Sequence, residues 1–289
     1  MKPEIKNKIE SVIEDSIISL KSISGGCIND AEIITTKSGK TFFVKTHNNS
    51  ASNMFQCEAN GLNELAKADV IRVPKVIYTS EDFLILENII SKSRSKMFWE
   101  NFGRSFAQLH KYTGTKFGFY EDNYIGSTPQ LNEAVDSEKN NWSGFYFNNR
   151  LLFQFNLAEQ KGYVQSQLRN SFSKLENKIP HIFNGINVQP SLLHGDLWSG
   201  NFISDELGNA CLIDPAVYYG HREADLAMTK LFGGFDSKFY SAYNEEFSLD
   251  DGYEYRENIY KLYHVLNHLN LFGRSYYQQV VNLIEFYFR

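Results

Sequence analysis

Between Leu192 and Pro215 the chain reads LLHGDLWSGNFISDELGNACLIDP. Asn201 stands five positions after Asp196, and Asp214 stands eighteen after it. An Asp, an Asn and a second Asp in this order form the polar set that phosphoryl transfer needs. One carboxylate orients an attacking hydroxyl and accepts its proton. An amide oxygen and the other carboxylate hold the metal ions that neutralise the phosphates. His-Gly-Asp alone is a weak signal. His-Gly-Asp-x-x-x-x-Asn followed by a short apolar strand ending in Asp is a strong one.

The same spacing is that of the protein-kinase catalytic loop. A chain of 289 residues suffices for two lobes with a sizeable core. Its 42% apolar and 22% charged residues describe an ordinary globular composition. Net charge is −5 with no broad basic stripe, so nucleic acid is not an expected partner. The three cysteines, Cys27, Cys57 and Cys211, form no CxxC pair and no metal-ligand spacing, which fits a cytoplasmic setting. The N-terminal segment carries charges throughout, unlike a signal peptide, and no apolar run approaches bilayer length, so no membrane partner is expected.

Along the chain, Ile5, Ile9, Val12, Ile13 and Ile17 recur at helical spacing, which predicts a helix from Ile5 to Leu20. A glycine turn follows at Ser24–Asn29. Ala31–Thr36 and Thr41–Thr46 read as a hairpin joined by Lys37-Ser38-Gly39-Lys40. A helix over about Asn53–Lys67, with Phe55, Ala59, Leu62 and Ala66 as its apolar face, precedes an apolar strand at Phe83–Glu87. Together these predict a small antiparallel sheet carrying one helix. Thereafter the pattern is mainly helical: one helix around Phe98–Leu109, one over Leu157–Leu175, one near Tyr255–Leu271. Residues 114–150 read as a long, aromatic, ordered loop. Short strands at Ser191–His194, Phe202–Ser204 and Ala210–Ile213 present the polar set. The expected class is α+β: a bilobal, protein-kinase-like fold with lobes at 1–90 and 91–289.

Lys45 ends its strand and Glu58 lies thirteen residues on, in the next helix. That pair suits a phosphate-binding lysine held by a carboxylate, although either residue by itself reads as solvated surface. Gly25 and Gly26 let backbone N–H groups approach phosphates, and a GG pair is also a common turn. Cys27 beside them reads as a small filler. Asp196 is the candidate base, and Asn201 and Asp214 are ligands of the type Mg²⁺ takes. Taken singly, Asp196 reads as a helix cap and Asn201 as a turn residue; neither reading accounts for Asp214 at this spacing. His194 and His110 read as structural, as does Asp225, which would cap a helix or tie down the catalytic loop. Glu223 is a weaker candidate for meeting a substrate amine. Trp198 is balanced between packing and a platform for a sugar face.

With these residues in view, the chain resembles the fructosamine kinase (ketosamine-3-kinase) family. The carrying segments are Gly25–Asn29, Phe43-Val44-Lys45, Met54–Leu65, Phe117-Gly118-Phe119, Asn123-Tyr124-Ile125-Gly126-Ser127-Thr128-Pro129-Gln130, Trp142, Phe145, Arg150-Leu151, His194–Asn201, Asp214-Pro215-Ala216 and Asp225–Met228. The HGD loop is shared with aminoglycoside and choline kinases. The segment running to Gln130 and the Trp-containing loop are more specific. The resemblance implies ATP-dependent phosphorylation of the O3 hydroxyl of ketosamines, on free amines or protein lysines, which destabilises the adduct and regenerates the amine. It further implies that Glu87-Asn88-Ile89 carries the adenine-binding backbone, and that the acceptor sugar is ribulose, erythrulose or fructose. A monomer or weak dimer is expected.

The chain departs from protein kinases after Asp214, where Pro215-Ala216 replaces Phe-Gly. Only eleven positions separate Asp214 from Asp225, too few for a long activation loop. A kinase for another small alcohol (an aminoglycoside, choline or a sugar) and a nucleotide-binding pseudokinase are the alternative readings.

Overall fold

The computed structural model of the chain describes residues 1–23, 30–46 and 53–289. Its elements run α1 (Pro3–Ile13), β1 (Ile17–Ile23), β2 (Asp30–Thr36), β3 (Thr41–Thr46), α2 (Met54–Ala66), β4 (Val76–Thr79), β5 (Phe83–Glu87), α3 (Phe98–Lys111), β6 (Asn123–Ile125) and β7 (Thr128–Gln130). Then come α4 (Trp142–Tyr146), a π-helical turn (Phe147–Leu152), α5 (Phe153–Gln160), α6 (Ser166–Glu176), α7 (Ile179–Ile182) and β8 (Ser191–Leu193). The chain finishes with β9 (Phe202–Ser204), β10 (Ala210–Leu212), β11 (Tyr218–Gly220), α8 (Glu223–Leu231), α9 (Ser237–Glu246), α10 (Tyr253–Phe272) and α11 (Tyr277–Glu285). Two compact units form. One comprises Met1–Phe98 with Phe202–Pro215, the other Trp99–Asn201 with Ala216–Arg289.

The first unit is built on a five-stranded antiparallel sheet ordered β1-β2-β3-β5-β4. Side chains alternate between its two faces along each strand. Phe83 and Ile85 of β5 join Ile34, Val44, Ile17 and Ile9 in one buried cluster, with α1 packed over it. Leu84 and Leu86 join Phe55, Ala59 and Leu62 of α2 in the other cluster. Both faces are covered, which is why β5 reads as continuously apolar. Ala66 is exposed, and Leu65 takes the buried place in the last turn of α2.

The helix expected through Leu20 stops at Ile13. Glu14 adopts the left-handed conformation (φ 53°) and closes the helix by donating its N–H to the Glu10 carbonyl. Ile17 then enters the same core as Ile9, but from a strand paired with β2. The apolar periodicity correctly marked which residues share a core and misassigned the last of them to the helix. The helix expected over Leu157–Leu175 is also two helices, broken where Gly162 takes φ +70° between α5 and α6.

The second unit is organised around α10, whose Ile259, Tyr260, Leu262, Tyr263, Val265, Leu266 and Leu269 are buried. Helices α5, α8 and α11 pack on it. Here β8 pairs antiparallel with β11, placing Leu193 opposite Tyr218 just before the catalytic loop. The loop expected at 114–150 contains the β6–β7 hairpin, in which Asn123 faces Gln130. Among the described residues, no helix is long and apolar enough to cross a membrane.

Burial pushes down the imidazoles of His110, His221, His264 and His268, that of His264 to about 3. Folded, these groups resist protonation. Unfolded, each takes up a proton near pH 6.5, so below that pH the unfolded chain binds more protons and stability falls with acidification. Calorimetry should show Tm dropping from about pH 7 to about pH 5, with a shallower slope in His264→Gln. A Tm that holds level over this range would contradict the assignment.

Candidate active site

Lys45 follows Phe43 by two positions in β3 and therefore projects to the same sheet face, toward α2. Glu58 lies on α2 one turn beyond Phe55. The Lys45 Nζ donates to Glu58 Oε1 at 2.7 Å and to Asp214 Oδ1 at 2.6 Å. Lys45 and Glu58 are nearly buried, whereas the Asp214 side chain is 44% exposed. Burial works against the ammonium charge, but the Asp214 and Glu58 carboxylates outweigh it and hold Lys45 above the ordinary lysine range. The Lys45–Glu58 pair is the one expected from the spacing. The second contact, to Asp214, has no signal in the sequence.

Asp214 follows β10, whose Leu212 N–H donates to the Arg72 carbonyl at 2.9 Å. Its φ of +54° is rare for a residue with a Cβ. Strain of this kind persists only where surrounding contacts over-determine the backbone. Arg72 is a contributor that sequence reasoning missed. Its guanidinium reaches Glu87 at 2.7 Å and Glu206 at 2.6 Å, joining the end of β5 to the β9–β10 turn.

At the end of β5, the Glu87 carboxylate is engaged by Arg72 and by the Lys75 N–H. Asn88 donates to the Thr41 hydroxyl at 3.1 Å, and Ile89 is half-buried. The side chains of Glu87 and Asn88 are thus taken up in holding the strand end, so any adenine contact here belongs to the backbone. Gly25 and Gly26, with Cys27, lie outside the described residues.

In the second unit, Gly195 adopts φ +82°, and a Cβ there would sit 1.9 Å from the Ala216 carbonyl oxygen. Only glycine allows this approach. Asp225, buried at the start of α8, accepts the His194 N–H at 2.7 Å and the Gly195 N–H at 2.8 Å. His110 Nε2 lies 3.3 Å from the same carboxylate, and its Nδ1 is 2.7 Å from the Tyr243 hydroxyl. Burial keeps His110 neutral and Tyr243 protonated. The consistent assignment has Tyr243 O–H donating to Nδ1 and Nε2–H donating to Asp225. Burial also opposes the Asp225 charge, yet the hydrogen bonds it accepts hold its carboxyl below the ordinary range. His194 turns its Nδ1 to the Asp196 N–H at 3.3 Å. Both histidines and Asp225 are therefore structural supports of the loop.

Asn201 donates its amide nitrogen to the Asp196 carbonyl at 2.7 Å and to Asp196 Oδ2 at 3.1 Å. This bond commits the nitrogen and leaves Oδ1 as the acceptor the residue has to offer. Asp214 has a second carboxylate oxygen beyond the one on Lys45. Asn201 and Asp214 each offer a hard oxygen donor of the type Mg²⁺ takes.

Trp198 is 37% exposed and lies edge-on to Phe232, 5.9 Å between ring centroids. Its ring folds back over the loop, where a Cβ at Gly200 would meet it at 2.5 Å. From Phe232 the aromatic row continues through His268, at 4.9 Å, to the exposed Phe272. Glu223 does not join this surface. It is fully buried and paired with Arg256 through two bonds of 2.8 and 2.6 Å, so the weaker expectation that it meets an acceptor amine is withdrawn.

The comparisons agree with one another. A family model described as fructosamine kinase matches residues 1–289. A chloroplastic protein-ribulosamine 3-kinase of Oryza sativa subsp. indica is 40% identical over 280 residues, covering 94% of this chain and 80% of that protein. A crystal structure described as a candidate fructosamine-3-kinase from Thermobifida fusca superposes with a TM-score of 0.90 at 27% identity, covering 100% of both chains. An ADP-bound aminoglycoside phosphotransferase shares the fold, with a TM-score of 0.68 at 14% identity over 99% of both chains.

Two substitutions separate support from contact. Asp225→Ala strands two buried N–H groups, each worth about 1–3 kcal/mol, and should lower both Tm and kcat. Glu223→Gln weakens a buried ion pair and should lower Tm while leaving the acceptor KM within about twofold of native. A selective rise in that KM would restore Glu223 to the acceptor site.

Proposed function

From the premise that this chain belongs to the fructosamine kinase family, we propose that it is an ATP-dependent ketosamine 3-kinase. The observation that carries the catalytic reading is the Asn201–Asp196 contact beside a loop anchored by Asp225, together with Lys45 held by Glu58. The γ-phosphoryl group of ATP passes to the O3 hydroxyl of the adduct. A new O–P bond forms there, the bond to the ADP leaving oxygen breaks, and the hydroxyl proton goes to Asp196. A carboxylate of ordinary basicity suffices, because the transition state is loose and asks little prior deprotonation. Asn201 holds Asp196 in orientation through its amide nitrogen. Lys45, kept charged by its carboxylate neighbours, is the cation offered to the phosphates. Asn201 Oδ1 and Asp214 would hold Mg²⁺, which neutralises phosphate charge when bound. Backbone at Glu87-Asn88-Ile89 is the proposed adenine contact, with Gly25 and Gly26 on the phosphates. The unit Met1–Phe98 with Phe202–Pro215, rather than residues 1–90 alone, is the proposed nucleotide-binding part, and Trp99–Asn201 with Ala216–Arg289 the proposed catalytic and acceptor part.

On the acceptor side, Trp198 is the proposed platform. Its half-exposed face suits both a sugar ring edge and the ammonium of a ketosamine, which an aromatic face attracts. The relative at 40% identity is named for ribulosamine, which supports a five-carbon sugar as the preferred acceptor. The amine is free or belongs to a protein lysine, and the 3-phosphate destabilises the adduct so that the amine is released. A cytoplasmic monomer or weak dimer is the proposed working form.

The test is an acceptor screen. Phosphate transfer to a synthetic ribulosamine, above transfer to fructosamine and absent with free sugars, choline and aminoglycosides, is expected. Transfer to an aminoglycoside but not to any ketosamine would overturn the reading. Asp196→Asn should lower kcat by about 10²–10⁴-fold with Tm unchanged. Chelation of divalent cations should abolish turnover, and added Mg²⁺ should restore it. Turnover that persists under chelation would remove Asn201 and Asp214 from the metal role.

A further inference from the structure

The segment Asn123–Gln130 helped to carry the family resemblance, yet neither end of it meets an acceptor surface. Asn123 is 4% exposed and Gln130 is 1% exposed. They face each other across the β6–β7 hairpin and point their amides at backbone that lies 94 and 86 positions later. Gln130 Nε2 donates to the Ala216 carbonyl at 2.9 Å, and Asn123 Nδ2 donates to the Val217 carbonyl at 2.8 Å.

The rest of each amide is also engaged. Gln130 Nε2 donates a second bond to Asn123 Oδ1 at 2.9 Å, and Gln130 Oε1 accepts the Tyr263 hydroxyl at 2.8 Å. Asn132 adds a further bond to Asn123 Oδ1, also at 2.9 Å. Arg150 supports Asn132 from below, donating Nη2 to its Oδ1 at 2.7 Å. This arginine is fully buried. Its guanidinium lies 4.1 Å from the Tyr218 ring centroid, within the π-helical turn that follows α4. Buried amide networks in which each group is satisfied are rigid and specify one arrangement.

Ala216 is gripped from its other side as well. Its N–H donates to the His194 carbonyl at 2.8 Å, and its carbonyl packs against Gly195. The backbone two residues after Asp214 is therefore clamped between the catalytic loop and the hairpin. In protein kinases the corresponding stretch begins a movable segment whose ordering controls activity. We propose that Asn123 and Gln130, backed by Asn132, Arg150 and Tyr263, are positioning residues that lock Ala216–Val217 onto the catalytic loop and hold the chain in a permanently assembled state. The kinetic part of this proposal rests on the kinase reading. The structural part does not.

The test joins amide hydrogen exchange to kinetics. In Gln130→Ala, exchange at residues 192–197 and 214–219 should quicken by about tenfold or more, the opening expected from losing buried hydrogen bonds. Its kcat should fall by about tenfold, with the KM for ATP less affected. Asn270→Ala removes buried bonds to Gln154 in the same unit without touching the clamp. It should lower Tm while leaving exchange at 214–219 and kcat near native. If Gln130→Ala does not fold, Asn123→Ala, which frees Val217 and removes the acceptor of the Gln130 and Asn132 amides, takes its place with the same expectations. Native exchange at 214–219 in a folded clamp variant overturns the proposal. So does a fall in kcat that merely tracks Tm equally in Asn270→Ala. Native protein with no ketosamine kinase activity would overturn the functional reading instead, and the exchange measurement would still decide the clamp.

Discussion

The stretch from His194 to Asn201 has no regular secondary structure, so its shape is imposed from outside, and one buried carboxylate imposes most of it. Asp225 gathers the N–H groups of His194 and Gly195 and is in turn faced by His110, which the Tyr243 hydroxyl backs. An unpaired charge at this depth would be strongly unfavourable, so the carboxylate and its donors stabilise one another or fail together. Everything downstream inherits that constraint. Gly195 is pressed against Ala216, Asp196 is oriented by Asn201, and the backbone after Asp214 is tied to the loop.

The first unit solves a different problem with simpler means. A sheet covered on both faces needs apolar side chains on both, and strand alternation then assigns each residue a face. Val44 goes to the α1 side, while Phe43 and Lys45 go to the α2 side, where Glu58 waits. A lysine nearly removed from water stays charged because two carboxylates reach it. The same alternation that builds the core thus aims the cation.

How far the sequence could be read depended on whether a feature was local. The hairpin at Lys37–Lys40, the helix carrying Glu58 and the strand Phe83–Glu87 are set by neighbours within a few residues, and each was legible. The misreading at Ile17 came from the one place where helical and strand patterns overlap: an apolar residue four positions past Ile13 satisfies helix spacing, and the left-handed Glu14 that ends the helix has no glycine to announce it. Arg72, Tyr263 and Arg256 gave no signal, because their partners lie between 15 and 133 positions away. Glu223 was misjudged for the same reason. A carboxylate near a catalytic motif looks available until its guanidinium partner is seen.

The sequence by itself set the terms of the proposed chemistry. Spacing among His194, Asp196, Asn201 and Asp214 is a property of the chain, and phosphoryl transfer needs those donor types in that order. Tertiary structure decided which polar residues were free to take part. Burial and long-range pairing withdrew Glu223 into an ion pair, turned Asp225 and His110 into supports, and set Asn123 and Gln130 to gripping backbone. Whether a polar group acts or supports depends on its access to water and on its partners, and both are created only when distant segments pack.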